Sequence, residues 1–467
     1  WVDYDNDGDN DLFVSKYLGL PMLYRNDDSA FIDVSAEVGF PLNPLQENFG
    51  ACWGDYDLDG YLDLYIANFN DFSDDYQATN VLLHNSGDGT FEDLTVVAGV
   101  GNGSLKSNGC SWMDFNKDGL PDLHLINDRD YNKNALYLNN GDGTFEDISV
   151  SSGADIGIFA MSSTVGDYDN DGWLDVYITN GPLVGNYLLK NINGEVFFQQ
   201  QIEQNVQAFS MCWSAQWIDY NNDMWQDLYV AVRDWGALPE PNHFFVNNEG
   251  SFSVPTEPIF PDDEYIGYAN AIADFNNDGH PDLLQYSDGN QPPAIWENSG
   301  SDNNYIKLDL TGTISNRNAI GTWVDCYADG VHQVRYTYAG EDYLAQDSQY
   351  EIFGLGHAPV VDSLIVNWPN GLIESYYGLA VNQTLELIEG NLAPEIAYEA
   401  DYLCVGDSIE LTTQGFESYL WSNGDTTSTI NVASPNWYWV QGVNSSGITI
   451  TSDSLFISIA FPPTFSI

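Results

Sequence analysis

The sequence predicts an all-β chain: a β-propeller with six blades in view over residues 1–300, a β domain over 301–390, a linker at 391–399 and a small β-sandwich at 400–460. Three observations carry this prediction. A nine-residue acidic loop recurs six times, its first aspartates 52, 59, 53, 52 and 55 residues apart. An apolar run rich in β-branched and aromatic residues, such as Leu64-Tyr65-Ile66-Ala67, follows the loop, so that each loop joins two strands. A second hairpin closes the unit: Asn80-Val-Leu-Leu-His-Asn85, the turn Ser-Gly-Asp-Gly-Thr, then Phe91-Glu-Asp-Leu-Thr95, repeated nearly unchanged at 134–149. Four short strands per unit of about 50 residues fit a propeller blade, and six blades lie within the usual range of roughly 4 to 8. A linear solenoid is the alternative arrangement.

The loops have a definite chemical logic. Oxygen side chains stand at positions 1, 3, 5 and 9: Asp3, Asp5, Asp7 and Asp11; Asp55, Asp57, Asp59 and Asp63; Asp114, Asn116, Asp118 and Asp122; Asp167, Asp169, Asp171 and Asp175; Asp219, Asn221, Asp223 and Asp227; Asp274, Asn276, Asp278 and Asp282. Position 7 offers a backbone carbonyl, from Asp9, Tyr61, Leu120, Trp173, Trp225 and His280. Such a set can surround a hard cation that takes 6 to 8 oxygens, and Gly at position 6 permits the sharp turn, as in the first half of an EF-hand loop. Carboxylates gathered without a cation would repel one another and raise their own pKa values. Ca²⁺ suits the set better than Mg²⁺, which keeps more water, and transition metals would call on His or Cys, which do not recur at these positions. The expectation is five to six structural Ca²⁺ ions. The Asp219 loop is the weakest candidate, because Met224 stands where the others have Gly.

Composition narrows the partners. The 467 residues are 43% hydrophobic and carry 70 acids against 11 Lys and Arg, for a formal charge of −59. With so few scattered cations, nucleic acid and anionic membrane surfaces are poor partners. Twenty-one of the aspartates sit at loop positions 1, 3, 5 and 9, so much of the charge is site chemistry. No stretch approaches the roughly 18 to 20 apolar residues of a membrane span. Five cysteines, none in a CxxC pair, leave the redox compartment open.

The repeats resemble the FG-GAP or VCBS repeats of integrin α-subunit propellers and of many secreted bacterial proteins, with Phe49-Gly50 before the second loop fitting the pattern. That resemblance implies a seven-bladed propeller with calcium in its hairpin loops, and hence a blade, or part of one, upstream of Trp1. Residues 304–389 resemble the ASPIC/UnbV domain through Ser315-Asn316-Arg317-Asn318-Ala319-Ile320-Gly321, Gly354-Leu355-Gly356 and Val366-Asn367-Trp368-Pro369-Asn370-Gly371. The combination is the architecture of cartilage acidic protein-like proteins. Within it, Arg317 reads as an ion-pair partner or loop anchor before it reads as a binder of acidic ligands, and Trp368 reads as core.

The tail supplies short strands with aromatic centres, such as Tyr419-Leu-Trp421 and Trp437-Tyr-Trp-Val440, and turn signals such as Ser422-Asn-Gly-Asp425. It resembles the Ig-like or PKD-like modules of secreted Bacteroidetes proteins. Their first Cys pairs with one after a late Gly; here Cys404 is present but Gly447 is followed by Ile448. Phe461-Pro462-Pro463 reads as a hinge, making 461–467 the start of a further linker or module.

No HExxH, GxSxG or P-loop occurs. The expected function is therefore that of a non-enzymatic, secreted or cell-surface, calcium-binding adhesion and recognition protein, whose partner is a protein or glycan on a surface or in the extracellular matrix. The rivals are a glycan-active enzyme using a carboxylate pair in a propeller channel, and a purely structural stalk.

Overall fold

Six consecutive antiparallel meanders build the first part of the chain. The computed structural model describes residues 1–17, 19–27, 30–40, 47–69, 79–233, 241–257, 259–260, 266–287, 291–340, 342–390, 394, 396–398, 402–404, 407–443, 449–452 and 454–460. Sheets II to V have four strands each, paired in chain order; sheet II, for example, comprises Asn48–Gly54, Asp63–Asn68, Val81–Asn85 and Phe91–Asp93. Sheet VI has three, beginning with Gly267–Ala273. Sheet I also has three, Leu12–Val14, Met22–Asp27 and Ala30–Asp33, with the Val2 to Asp11 bridge where the others have a first strand.

Every acidic loop is the turn into a second strand, from a first strand in sheets II to VI and from the Val2 bridge in sheet I. Register places its ninth residue opposite the residue before its first, as in Gly54 with Asp63, Met113 with Asp122 and Ala273 with Asp282. The second strands do not alternate polar and apolar residues: all six residues of Asp63–Asn68, Asp122–Asn127 and Asp227–Val232 are buried. Both faces are covered because neighbouring sheets pack on each side. Cys52, Tyr65 and Leu82 of sheet II share a core with Trp112 and Leu125 of sheet III, and Tyr168 and Leu188 of sheet IV share one with Trp217 and Val230 of sheet V. At Gly50 the approach is so close that a Cβ would lie 2.6 Å from the Asn108 carbonyl oxygen, which accounts for glycine after Phe49.

Residues 304–388 add two sheets, one ordered Glu351–Gly356, Asn304–Thr311, Gln383–Ile388, the other Val331–Tyr336, Trp323–Ala328, Val361–Asn367, Ile373–Leu379. All of this segment but residues 371–374 and 388 belongs to the same compact unit as the six meanders, which spans residues 1–370 and 375–387. Trp368 is buried there, as expected. The connection after Tyr336 runs along the first strands of several meanders. Ala339 accepts a hydrogen bond from Trp53 N–H (3.0 Å), Tyr338 donates to the Val165 carbonyl (3.0 Å), and Asp342 accepts from Ala215 and Asn270 N–H (2.8 and 3.2 Å). Asp347 accepts from Ile272 N–H (2.6 Å), and Gln346 donates to the Trp1 carbonyl (2.8 Å). One peptide segment thus touches sheets II, IV, V and VI and the start of the chain.

The second compact unit, residues 371–374 and 388–467, is also all β, with three three-stranded sheets around Leu411, Trp421, Ile430, Val432, Tyr438, Val440 and Ile457. One strand pair is parallel, Tyr402–Cys404 with Leu455–Ala460. Most of the proposed linker at 391–399, the Gly447-Ile448 position, the Cys404 side chain and residues 461–467 lie outside the described residues. Cys52, Cys110, Cys212 and Cys326 are buried free thiols.

Candidate metal centre

The six loops are built alike. The first aspartate is buried and accepts the N–H groups of positions 5 and 6: Asp55 takes Asp59 and Gly60, both at 3.0 Å, and Asp114 takes Asp118 and Gly119, both at 3.0 Å. The ninth is also buried and accepts the N–H of position 2 on one oxygen and that of an asparagine in the third strand on the other. For Asp63 these donors are Tyr56 (3.1 Å) and Asn85 (2.8 Å); for Asp122, Phe115 (3.0 Å) and Asn139 (2.7 Å). Position 5 accepts the N–H of position 7 in each loop, including Asp7 from Asp9, Asp171 from Trp173, Asp223 from Trp225 and Asp278 from His280. These backbone bonds fix positions 1, 5 and 9 while leaving each carboxylate oxygen a second lone pair.

Position 4 has a positive φ in all six loops, 54° to 60° at Asn6, Leu58, Lys117, Asn170, Asn222 and Asn277. Position 6 does too, and Met224 adopts +84° like its glycine counterparts, so the strain expected there is present. The Met224 backbone still donates to Asp219, at 3.0 Å.

Burial holds these carboxyl groups above the usual range. Asp3 and Asp114 rise to about 6, Asp11, Asp63, Asp167 and Asp219 to about 7, and Asp55 to about 8, burial being the first cause in each and neighbouring aspartates adding to it. A bound cation would relieve this strain.

Position 3 divides the loops. In the three with Asn, the amide bonds back to position 5. Asn116 donates to Asp118 Oδ2 (2.9 Å) and accepts its N–H (3.1 Å), and Asn221 and Asn276 repeat the pattern with Asp223 and Asp278. In the three with Asp there is no such amide, and in two of them one position-3 oxygen, Asp5 Oδ1 or Asp169 Oδ1, is buried without a hydrogen-bond partner. Here the oxygens converge. One atom each from Asp3, Asp5 and Asp11, from Asp55, Asp57 and Asp59, and from Asp167, Asp169 and Asp175 lies within 4.8 Å of the others. Among the described residues no such carboxylate cluster forms in the loops at Asp114, Asp219 and Asp274.

Each Asp-type loop also has a basic side chain, immediately before the third-strand asparagine. Arg25 turns to Asp27 (2.8 Å). His84 lies 3.1 Å from Asp63 and 3.4 Å from Asp57, and the bond to Asp63 lifts its pKa to about 9. Lys190 pairs with Asp169 and, at 3.0 Å, with Asp171. The equivalent residues of the Asn-type loops are Leu138, Val246 and Glu297. At those loops a side chain from residues 304–388 answers the first aspartate. Trp323 Nε1 donates to Asp114 Oδ2 (2.9 Å), Lys307 Nζ donates to Asp274 Oδ2 and Asn277 Oδ1 (both 3.0 Å), and the charge of Arg335 counters the rise at Asp219. No spacing in the sequence foretells these partners, which come from 30 to 209 positions away in the chain.

The third-strand asparagines also latch one sheet to the next. Their Nδ2 donates to the position-2 carbonyl of the preceding loop: Asn85 to Tyr4 (2.7 Å), Asn139 to Tyr56 (2.8 Å), Asn191 to Phe115 (3.0 Å), Asn247 to Tyr168 (2.7 Å) and Asn298 to Tyr220 (2.7 Å). A signal for them existed, since Asn85 and Asn139 both close the strand before the glycine-rich turn.

These repeats define a class. Models of the FG-GAP-like repeat match residues 3–66, 55–125, 114–178 and 219–284, more than half of the chain, and the chain belongs to that family. The ASPIC and UnbV model matches residues 312–394. Among curated proteins, the chain is 30% identical to cartilage acidic protein 1 of Xenopus tropicalis over 263 residues, 53% of this chain and 39% of that protein. It is 26% identical to human cartilage acidic protein 1 over 358 residues, 74% and 44%. The chain thus spans under half the length of these relatives. Solved structures with some likeness include Trypanosoma rangeli sialidase, at 7% identity and a TM-score of 0.35, covering 61% of this chain and 53% of that one. A rhamnogalacturonan lyase has 11% identity and a TM-score of 0.35, covering 83% and 71%.

Proposed function

We propose that the chain is an extracellular recognition protein whose six meanders form a propeller stiffened by calcium, with the second unit an Ig-like spacer. The observation that carries the calcium reading is the convergence of carboxylate oxygens in the loops at Asp3, Asp55 and Asp167, with Asp5 Oδ1 and Asp169 Oδ1 buried and without a hydrogen-bond partner. Their donor set is all oxygen, which suits a hard cation. The three loops with Asn, in which the amide closes on position 5, offer one carboxylate fewer and are the weaker sites. Position-7 carbonyls would complete each shell. The ion supplies charge neutralisation and rigidity; the protein holds positions 1 and 9 in place before it binds.

The propeller reading draws on the shared cores of successive sheets and on the segment 337–349, which touches first strands of four sheets. In a propeller the first strands line the axis, so this segment would fill the channel in which an acid pair could act on a glycan. That favours recognition over catalysis. Extracellular placement is supported by the names of the relatives and by a surface that calcium and salt would screen. Among the described residues no helix is long and apolar enough to cross a membrane.

The test is thermal melting in calcium against EGTA, paired with binding and reducing-sugar release on a panel of glycans and matrix proteins. Calcium should raise the midpoint by several degrees, and ligands should be bound without turnover. An unchanged midpoint overturns the calcium reading; released sugar overturns the recognition reading.

A further inference from the structure

Arg317 is one of 11 cationic residues facing 70 acids, yet it is exposed and makes no ion pair among the described residues. In so acidic a protein a mobile arginine would find a carboxylate. This one sits on a turn whose backbone is pinned. Its N–H donates to Asn6 Oδ1 (3.0 Å) and its carbonyl accepts from Gly312 N–H (3.1 Å). On one side the buried Asn316 amide exchanges hydrogen bonds with Ile320 (2.8 and 2.9 Å). On the other, Asn318 accepts from Asp3 N–H (2.7 Å) and donates to Asn10 (3.1 Å). The turn is therefore clamped to the first acidic loop, and the guanidinium is presented rather than used internally.

It lines a cavity of about 330 Å³ together with Asn6, Asp59, Tyr61, Thr313 and Ser315. That volume is at the small end of ligand pockets. Its lining offers one five-donor fork suited to a planar carboxylate and several groups that exchange hydrogen bonds with hydroxyls. A peptide bearing many carboxylates would meet the field of a chain with charge −59 and the Asp59 carboxylate at the rim. A sugar with one carboxylate among several hydroxyls matches both the single cation and the polar wall.

We propose that this pocket is a subsite for a uronic acid unit of an acidic glycan, with the Arg317 guanidinium taking the carboxylate and Asn6, Tyr61 and Thr313 facing its hydroxyls. The proposal rests on the recognition reading and names the ligand's chemistry. Its test is titration calorimetry of the full chain in calcium with galacturonate and glucuronate oligosaccharides, and with neutral galactose and glucose oligosaccharides of equal length. Wild type should bind at least one uronate series tenfold or more tighter than its neutral counterpart. Arg317→Ala should lose that tenfold, and Arg317→Lys should fall between, with melting midpoints unchanged because the side chain is exposed. Uronate binding that survives Arg317→Ala, or equal binding of neutral sugars, overturns the subsite and leaves the recognition reading standing. Arg317-dependent binding of poly-aspartate without uronate binding overturns the sugar assignment. No binding to any glycan or protein on the panel overturns both.

Discussion

The loops beginning at Asp55 and Asp274 share one backbone and differ in what answers their charge. In the first, Asp57 faces His84 from its own sheet, and the oxygens of positions 1, 3 and 5 converge. In the second, Asn276 closes on Asp278, and the ammonium of Lys307, from the segment that follows the repeats, sits on Asp274 and Asn277. The same division holds for the loops at Asp3 and Asp167 against those at Asp114 and Asp219. Where position 3 is Asp, carboxylate oxygens cluster; where it is Asn, a side chain from residues 304–388 answers the first aspartate. One repeated motif thus carries two side-chain arrangements, which part at position 3.

Removing the docking cation should have the largest effect. Lys307 and Asp274 are 3% and 1% exposed, so Lys307→Met would leave a buried carboxylate uncompensated, at a cost of about 3–5 kcal/mol. Chemical denaturation in EGTA should show the full loss. Added calcium should restore part of it by entering the vacated loop, so equal losses with and without calcium would show that the lysine is not standing where an ion could.

Calcium removal is next. A filled site contributes about 2.7 kcal/mol at 100 times its dissociation constant. Equilibrium dialysis should show the bound equivalents falling by one in Asp5→Asn or Asp57→Asn. Asp118→Asn, in an Asn-type loop, should leave them unchanged; an equal fall would erase the division between the two kinds of loop. The pH dependence follows from the raised carboxyls. Because Asp3, Asp11, Asp55, Asp63 and Asp167 have folded pKa values of about 6 to 8 against an ordinary 3.8, the metal-free fold binds more protons than the unfolded chain between about pH 4 and 8. Its stability should therefore fall as pH rises through that window. Calcium needs the ionised form, so the midpoint difference between calcium and EGTA should widen from pH 5 to pH 8.

A feature common to both kinds of loop gives a smaller effect. Asn139 is buried and donates to the carbonyls of Tyr56 (2.8 Å) and Pro121 (3.0 Å). Asn139→Ala should cost about 2 kcal/mol, roughly 1 for each net bond. The loss should be the same in calcium and in EGTA, since the latch joins sheets rather than shaping the ion shell.

The division between loops was half legible in the sequence. Asn116, Asn221 and Asn276 are visible in the sequence at position 3, where the other loops have Asp, and the spacing of the loops places each of them between two strands. What answers those loops was not legible, because Trp323, Lys307 and Arg335 meet Asp114, Asp274 and Asp219 only through tertiary packing. Arg25, His84 and Lys190 were in view, but their common place before the third-strand asparagine is a register relation: 14, 21 and 15 residues separate them from Asp11, Asp63 and Asp175. Insertions between the strands hide such a match from any fixed spacing. Position 4 was missed for a different reason. Four of its six residues are Asn, which tolerates a positive φ, but Leu58 and Lys117 adopt it as well, compelled by the loop around them.

Met224 tests how far the loop itself sets the terms. Its φ of +84° costs about 1–2 kcal/mol relative to an ordinary backbone, which argues for restoring the glycine found in the other five loops. Glycine, however, loses about 0.5–1 kcal/mol to the greater freedom of the unfolded chain. The Met224 side chain is also 6% exposed and reaches toward Gly356, so that removing it forfeits about 1.5–3 kcal/mol of burial. The balance predicts that Met224→Gly destabilises the chain by about 1 kcal/mol in denaturant titration, against the pattern of its own repeat. A stabilised variant would mean that the strain outweighs the packing, and that the Asp219 loop is a worn ion site rather than one rebuilt around the neighbouring sheet.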